Sequence, residues 1–287
     1  MSTRSRKEDD LMRIHVPGVI TSRSPLGQNL ATAITAGLNI DIEEEALDWQ
    51  IDHHEAKLSH DESNMIVSVA DSVAPGLLPH RLVLTTDLPV GVGLGGSNAA
   101  TLAGIMLADQ LADLHLSETQ IIETALGYEP FPAALHAALH GGMQTYDPRT
   151  ERLERQAVQA LQWVIYTPDQ FVEASVPSHY TEQNVNAADY ARFTKALAKA
   201  DDNYLRNHLP LEPLRTQVTP EYFPQAEMVN RAVIQCGGYG CFVAGNGPAL
   251  VCLAPIRSTR FVELLKHSLS AGQLLVTDVD TTGATIS

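Results

Sequence analysis

The chain has 287 residues, 44% of them hydrophobic, and its formal net charge is −15 at pH 7. This length and hydrophobic content predict a globular protein of one large or two modest domains and exclude a disordered chain. The acidic charge argues against nucleic acid and anionic membranes as partners, because both bind basic surfaces.

The N-terminal part of the chain is predicted to contain both strands and helices. Residues 1–12 are expected to form a disordered tail. Neither a signal-peptide core nor an apolar run of the ~18 to 20 residues of a membrane span is visible, so we expect a cytoplasmic protein. Hydrophobic periodicity predicts strands over 13–17, 38–43 and 81–88, helices over 28–36 and 64–73, a polar turn over 21–25, and a loop or edge hairpin over 49–63.

A glycine-rich stretch at residues 88–100, LPVGVGLGGSNAA, follows a predicted strand and opens into a helix. Gly91, Gly93, Gly95 and Gly96 permit backbone angles that other residues avoid, and they let a ligand approach the main chain. The N–H groups and the positive dipole end of the next helix favour phosphate. No lysine follows the glycines, so this is not a P-loop. An ordinary glycine-rich turn is the alternative.

Ser97 and Asn98 are expected at the N-cap of that helix, which is predicted to run to about Leu114. A hydroxyl at this place can cap the helix or bind a magnesium ion that is held by phosphate. The stretch therefore predicts a site for a phosphorylated ligand.

The later elements mix helices and strands without regular βα alternation, which favours an α+β fold. A charged connector over 147–155 marks the expected domain change, with an N-terminal domain over 13–152 and a C-terminal domain over 153–287. The pattern predicts helices over 121–126 (capped at Ser117), 133–139, 187–200, 201–208, 225–236 and 259–270, strands over 143–146, 162–167, 241–244, 250–254 and 273–276, and a turn at Pro210 and Pro213.

Cysteine and histidine patterns give weak signals for a metal. Cys236, Cys241 and Cys252 match no zinc spacing, and small buried residues in a reducing compartment are the favoured interpretation. His136 and His140 would share a helix face, but no HExxH glutamate accompanies them. Surface or helix-capping histidines are favoured over a metal site.

Four segments, taken together, resemble the GHMP small-molecule kinases, and among them the homoserine kinases. The segment PVGVGLGGSNAA at 89–100 is similar to the family's phosphate loop, P-x-x-x-G-L-G-S-S-x-A. RIHVP at 13–17, DESNMI at 61–66 and GNGP at 245–248 are similar to the family's opening strand, its D-E-x-N-L-I segment and its G-A-G-P motif. The resemblance spans residues 13–276.

The resemblance implies a two-domain GHMP kinase-like fold, with an N-terminal ribosomal-S5-like α/β domain and a C-terminal ferredoxin-like α+β domain. It implies ATP and Mg²⁺ as cofactors, with Ser97 and Glu129 as the catalytic, magnesium-binding pair. Asn64 would lie near the nucleotide base, and Gly245 and Asn246 would close around the substrate. The residues expected to hold the nucleotide are Asn64, Pro89, Gly91, Gly93, Leu94, Gly95, Gly96, Ser97 and Asn98.

Positions on the acceptor side depart from the family pattern. Ser22 stands where the family has Asn, Gln28 where it has the Asp that reads the amino alcohol, and Ala133 and Ala134 where it has Asp-Asn. Arg215 matches a substrate-side arginine of the family, and a guanidinium suits a carboxylate, although a surface arginine is the alternative. We expect Ser22, Gln28 and Arg215 to contribute to the acceptor site.

The resemblance implies ATP-dependent phosphoryl transfer to the hydroxyl of a small amino alcohol. L-Homoserine is the leading acceptor, and O-phospho-L-homoserine, a compound of threonine biosynthesis, is the product. Two alternatives stay open: a kinase of the same fold for a different small alcohol, and a non-catalytic nucleotide-binding paralogue. The expected partner is a small molecule, and a homodimer is left open.

Overall fold

A computed structural model describes residues 12–23, 29–169, 187–209 and 225–287 of the chain. The predictions that fall outside these ranges concern Gln28, the turn at Pro210 and Pro213, Arg215, and residues 1–11 of the tail predicted over 1–12. The tail prediction is wrong at Met12, which is the first residue of a strand.

Two β-sheets organise the described residues. The first has the order β11-β1-β2-β4-β3, with β5 joining β2 and β6, and its β3–β4 pair is parallel whereas its other pairs are antiparallel. The second is antiparallel with the order β10-β7-β9-β8. The strands are β1 Met12–Arg23, β2 Asn29–Glu45, β3 Gln50–Asp52, β4 His80–Thr86, β5 Met143–Asp147, β6 Arg152–Gln156, β7 Leu161–Thr167, β8 Gly240–Val243, β9 Leu250–Pro255, β10 Gln273–Thr277 and β11 Thr285–Ile286.

Helices accompany both sheets, which confirms the predicted α+β class. Apolar side chains of α1 to α4 pack with the first sheet, and those of α7 and α8 pack with the second. None of the helices that the structure describes is long and apolar enough to cross a bilayer. The helices are α1 Met65–Val73, α2 Gly96–Ala112, α3 Glu118–Leu126, α4 Pro132–His140, α5 Ala187–Lys199, α6 Asp202–His208, α7 Ala226–Gln235 and α8 Phe261–Ser268.

The cap predicted at Ser117 is confirmed, and the structure adds a second cap, at Asn64, that the sequence analysis did not predict. Asn64 caps α1, because its side-chain oxygen accepts a hydrogen bond from the Ile66 N–H. Ser117 and Gln120 form a complete capping box at the start of α3. Such bonds satisfy N–H groups that have no partner inside the helix, so they can be read from sequence alone.

The helix predicted over 28–36 is wrong, because this segment belongs to the long strand β2. Leu30 and Ile34 pack into one apolar cluster, whereas Ala31 and Ala33 pack into another on the opposite face. A strand that is buried on both faces lacks the alternation of apolar and polar residues that identifies a half-exposed strand. The spacing of its apolar residues was therefore interpreted as that of a helix.

Three further predictions needed correction. The polar turn expected over 21–25 is wrong at residues 21–23, where β1 continues to Arg23 in register with β2, and residues 24 and 25 lie outside the described residues. The segment 49–63 contains β3, which pairs in parallel with β4 and is therefore not part of a hairpin. The connector over 147–155 contributes β6, which the sequence did not indicate, and neither did it indicate β11.

The domain division at 152/153 stays a prediction. β6 pairs with β5 in the first sheet, and the second sheet begins with β7. After β10, the chain returns to the first sheet, where β11 pairs with β1. Both ends of the described chain therefore lie in the first sheet.

Candidate active site

A cavity of about 820 Å³ lies where the glycine-rich stretch meets the start of α1 and the turn between β8 and β9. Its walls include twelve of the residues predicted for the site, which come from four separate parts of the chain. These are Asn64, Pro89, Gly91, Gly93, Leu94, Gly95, Gly96, Ser97, Asn98, Glu129, Gly245 and Asn246.

The glycine-rich loop follows a fixed path, because its backbone is bonded to both sheets. The carbonyl of Leu94 accepts a hydrogen bond of 2.9 Å from the N–H of Val19 in β1. The carbonyl of Val92 accepts one of 3.1 Å from Ala249, next to β9. The loop is thus an ordered bridge between the two sheets, and it forms one wall of the cavity.

Gly93 lies at the tightest point of this bridge. Its φ is +91°, and a Cβ built there would lie 2.1 Å from the carbonyl oxygen of Ala244 and 2.9 Å from the N of Gly247. The N–H of Gly245, in the facing turn, donates a 2.8 Å hydrogen bond to the carbonyl of Thr21. The glycine is required here for contact between the two sheets, a reason additional to the phosphate approach that the sequence suggested.

The expected N-cap at Ser97 and Asn98 is wrong. The N-cap of α2 is Gly95, with φ +75° and ψ +24°, and it makes no side-chain cap bond. The first backbone bond of the helix runs from the Ala99 N–H to the Gly95 carbonyl. The N–H groups of Gly96, Ser97 and Asn98 precede it, and these residues line the cavity, so the helix offers unpaired donors to an anion there.

Because Ser97 does not cap the helix, its hydroxyl is available for another partner. It donates a hydrogen bond to Oε1 of Glu129, which lies 32 residues further along the chain. The backbone N–H of Glu129 is bonded to the Ala125 carbonyl at the end of α3, and this bond places the carboxylate at the cavity. The side chains thus bring a hydroxyl and a carboxylate oxygen together beside the helix N-terminus.

These two oxygen atoms are suitable ligands for a magnesium ion. Mg²⁺ prefers oxygen ligands and usually takes one or two from the protein, while water and phosphate supply the rest. Within the described residues, no group of three or more His, Cys, Asp or Glu side chains is placed so that it could hold a metal ion by itself. A cation bound here would therefore need phosphate oxygens as well.

Asn64 uses both ends of its amide for structure. Its oxygen caps α1, and its Nδ2 donates a 2.8 Å hydrogen bond to the carbonyl of Ser59. Both Asn64 and Ser59 line the cavity. The residue thus fixes the loop before α1, and its position near the nucleotide base stays a prediction.

The acceptor-side positions are only partly described. Ser22 is buried, does not line the cavity, and its Oγ has no hydrogen-bond partner, while its carbonyl accepts a 3.0 Å bond from the hydroxyl of Tyr190 in α5. Ala133 and Ala134 are buried in the core of the first sheet, and it is Phe131 that lines the cavity. Gln28 and Arg215 lie outside the described residues.

The histidine pair on α4 does not form a metal site in the part of the chain that the structure describes. The rings of His136 and His140 are 5.4 Å apart, and the nearest carboxylate, that of Glu118, is 4.0 Å from His140 Nδ1. Among the cysteines, Cys241 and Cys252 face each other on β8 and β9 in an apolar cluster, where burial raises the pKa of the Cys252 thiol. Both are buried small residues, as predicted.

His136 gives a prediction for stability against pH. Burial, and then the nearby His140, hold the pKa of His136 below its ordinary value of 6.5. The unfolded chain therefore binds this proton more readily, so the stabilisation is present above about pH 6.5 and is lost as the pH falls through the lower pKa of the folded state. We expect thermal unfolding to show a fall in Tm from about pH 7.5 to about pH 5.5 that is smaller in His136→Gln.

His54→Gln is the matched control, because His54 is an exposed residue outside α4. Its pH-dependent fall in Tm should equal that of the wild type. An unchanged fall in His136→Gln would contradict the assignment.

Several cavity residues were not predicted. Thr21 precedes Ser22 directly and Phe131 lies two residues after Glu129, but neither was singled out. Lys57 and Ser59 belong to a segment that was described only as polar. Their signal was weak, because a loop without periodicity does not indicate which side chains face a cavity.

The chain is similar in sequence to proteins of one kinase family. Residues 64–142, which include the loop, α2 and Glu129, match the model of the GHMP kinases N terminal domain. A homoserine kinase from Listeria monocytogenes serotype 4b is 30% identical to this chain, over 96% of the chain and 99% of that protein. A homoserine kinase from Leuconostoc mesenteroides is 27% identical, over 96% and 99%.

Solved structures give the same result for the fold. A structure from Listeria monocytogenes, described provisionally as a homoserine kinase, superposes with a TM-score of 0.73 at 26% identity and covers 96% of this chain and 99% of its own. A mevalonate kinase from L. major superposes with a TM-score of 0.72 at 16% identity, over 94% and 96%, which shows likeness of fold alone. The two-domain fold is that of these kinases.

Proposed function

Because this chain belongs to the GHMP kinase family, in the group that contains the homoserine kinases, we propose that it transfers the γ-phosphoryl group of ATP to the hydroxyl of L-homoserine. The observation that carries the proposal is the convergence of the Ser97 hydroxyl and the Glu129 carboxylate beside the unpaired N–H groups of α2. That arrangement provides oxygen ligands for a cation and donors for phosphate in one cavity.

The proposed mechanism rests on positioning and on neutralising charge, which phosphoryl transfer requires more than covalent catalysis. The N–H groups of Gly96, Ser97 and Asn98 would bind phosphate oxygens, and the side chains of Ser97 and Glu129 would hold Mg²⁺. When bound, the cation neutralises part of the phosphate charge. The acceptor oxygen forms the new bond to the γ-phosphorus while the bond to the β–γ bridging oxygen breaks, and ADP leaves.

The fate of the acceptor's proton follows from the residues at the cavity. Among the described residues that line it, Glu129 is the one carboxylate, and it is assigned to the cation. The hydroxyl proton is therefore proposed to pass to the transferred phosphoryl group and not to a side-chain base. Ser22, Gln28, Gly245, Asn246 and Arg215 stay proposals for binding the acceptor.

A second candidate acceptor is a different small alcohol. It is favoured by Phe131, an apolar side chain that lines the cavity two residues after Glu129. An apolar wall disfavours a charged amino acid and suits a neutral substrate, because an unpaired charge is costly to bury.

ADP release from purified protein with Mg-ATP tests the proposal. L-Homoserine, threonine, serine and a set of polyols are compared as acceptors. Turnover should be highest with L-homoserine. Higher turnover with a polyol would support the second candidate, and nucleotide binding without turnover on any acceptor would indicate a non-catalytic paralogue.

A further inference from the structure

The cavity is short of positive charge. Among the described residues that line it, Lys57 and Glu129 are the charged ones, so a single cationic side chain belongs to the walls of a site proposed for a triphosphate. The whole chain carries a net charge of −15. A nucleotide with several negative charges would be repelled by such a protein unless cationic groups are placed locally.

Lys57 is carried by a turn over 53–59 that His53 holds together. The Glu55 N–H donates to His53 Nδ1 at 3.2 Å, so Nδ1 carries the lone pair and the proton is on Nε2. Nε2 then donates to the carbonyl of Ser59 at 3.1 Å. One neutral imidazole thus connects the two ends of the turn, and the Leu58 N–H bonds to the Glu55 carbonyl inside it.

The turn is also attached to the phosphate side of the cavity. The Ser59 carbonyl that accepts from His53 accepts a second hydrogen bond from Asn64, the N-cap of α1. The next residue, Met65, has its Sδ 4.0 Å from the Ser97 hydroxyl. Ser59, Asn64 and Met65 therefore connect the turn that carries Lys57 to the Ser97 hydroxyl, along one wall of the cavity.

We propose that the Lys57 ammonium group binds phosphate oxygens of the nucleotide and that His53 is a positioning residue for Lys57. A charge-assisted hydrogen bond of this kind strengthens with the number of phosphates, and salt weakens it. The inference rests on the proposed function, because it places the nucleotide in this cavity.

Calorimetric titration of the purified protein with ATP, ADP and adenosine, at low and high salt, tests it. Lys57→Met should weaken ATP binding by about tenfold or more. It should leave adenosine binding unchanged and reduce the salt dependence of ATP affinity. Lys57→Arg should keep most of the affinity. Lys266→Met, which removes an exposed lysine on α8, is the matched control and should bind as the wild type does.

The role of His53 is tested by a double-mutant cycle. His53→Ala should weaken ATP binding several-fold in the wild type, but should have no further effect once Lys57 is methionine. A loss that persists in the Lys57→Met background would contradict the positioning role.

The outcomes separate this inference from the proposed function. Wild-type ATP binding that Lys57→Met leaves unchanged, or equal losses for ATP and adenosine, would overturn the inference alone. A wild-type protein that binds no ATP would overturn the proposed function, and the inference with it.

Discussion

Glu129→Ala is expected to lower kcat by about 10²- to 10³-fold without unfolding the protein. The Glu129 side chain lines the cavity, and the hydrogen bond from Ser97 is the side-chain contact on which the site is built. Removing the carboxylate leaves the hydroxyl as the single protein ligand for the cation. The backbone bond that holds Glu129 to Ala125 does not depend on the side chain, so the fold should be kept.

Steady-state kinetics with saturating Mg-ATP and the best acceptor measure this effect. Glu123→Ala is the matched control, because Glu123 is an exposed residue of the preceding helix that does not line the cavity. Raising the Mg²⁺ concentration should recover part of the activity of Glu129→Ala, as expected for a weakened cation site. A kcat close to that of the wild type would show that Glu129 does not serve the cation.

The parts of the site that could be predicted from sequence are those that local chemistry determines. The glycine-rich loop and, outside the site, the capping box at Ser117 each depend on residues within a few positions of one another. In each case the backbone must satisfy N–H groups, or take unusual angles, that few residue types allow. A single sequence is enough to indicate such places.

The parts that could not be predicted depend on contacts between distant segments. One face of β2 packs with the helices α1 to α4 and the other with residues of the second sheet and α5, and so the segment over 28–36 gave a misleading pattern. Ser97 and Glu129 were paired through the family resemblance and not through local chemistry, and their bond requires that Gly95, and not Ser97, cap α2. The place of Lys57 at the cavity depends on the bonds of His53, which no periodicity reports.

Gly93 is constrained both by its local backbone angle and by a contact with a distant segment. Gly93→Ala is therefore expected to have the largest effect on stability. The new Cβ would lie 2.1 Å from one backbone atom and 2.9 Å from another, both in the 244–247 segment. These are backbone atoms, which cannot move away from the new methyl group as the end of a flexible side chain could. The φ of +91° adds strain for any residue with a Cβ. We expect a loss of about 3 kcal/mol or more in the free energy of unfolding.

For a chain of this length, such a loss lowers Tm by about 10 °C, which differential scanning calorimetry resolves. Gly96→Ala is the matched control, since nothing lies within 4 Å of a Cβ built there, and its Tm should stay near that of the wild type. If Gly93→Ala also kept the wild-type Tm, the contact between the loop and the 244–247 segment would not be as close as described. Because that contact joins the glycine-rich loop to the second sheet, the variant should lose ATP binding together with stability, whereas a residue needed only for phosphate approach would lose binding alone.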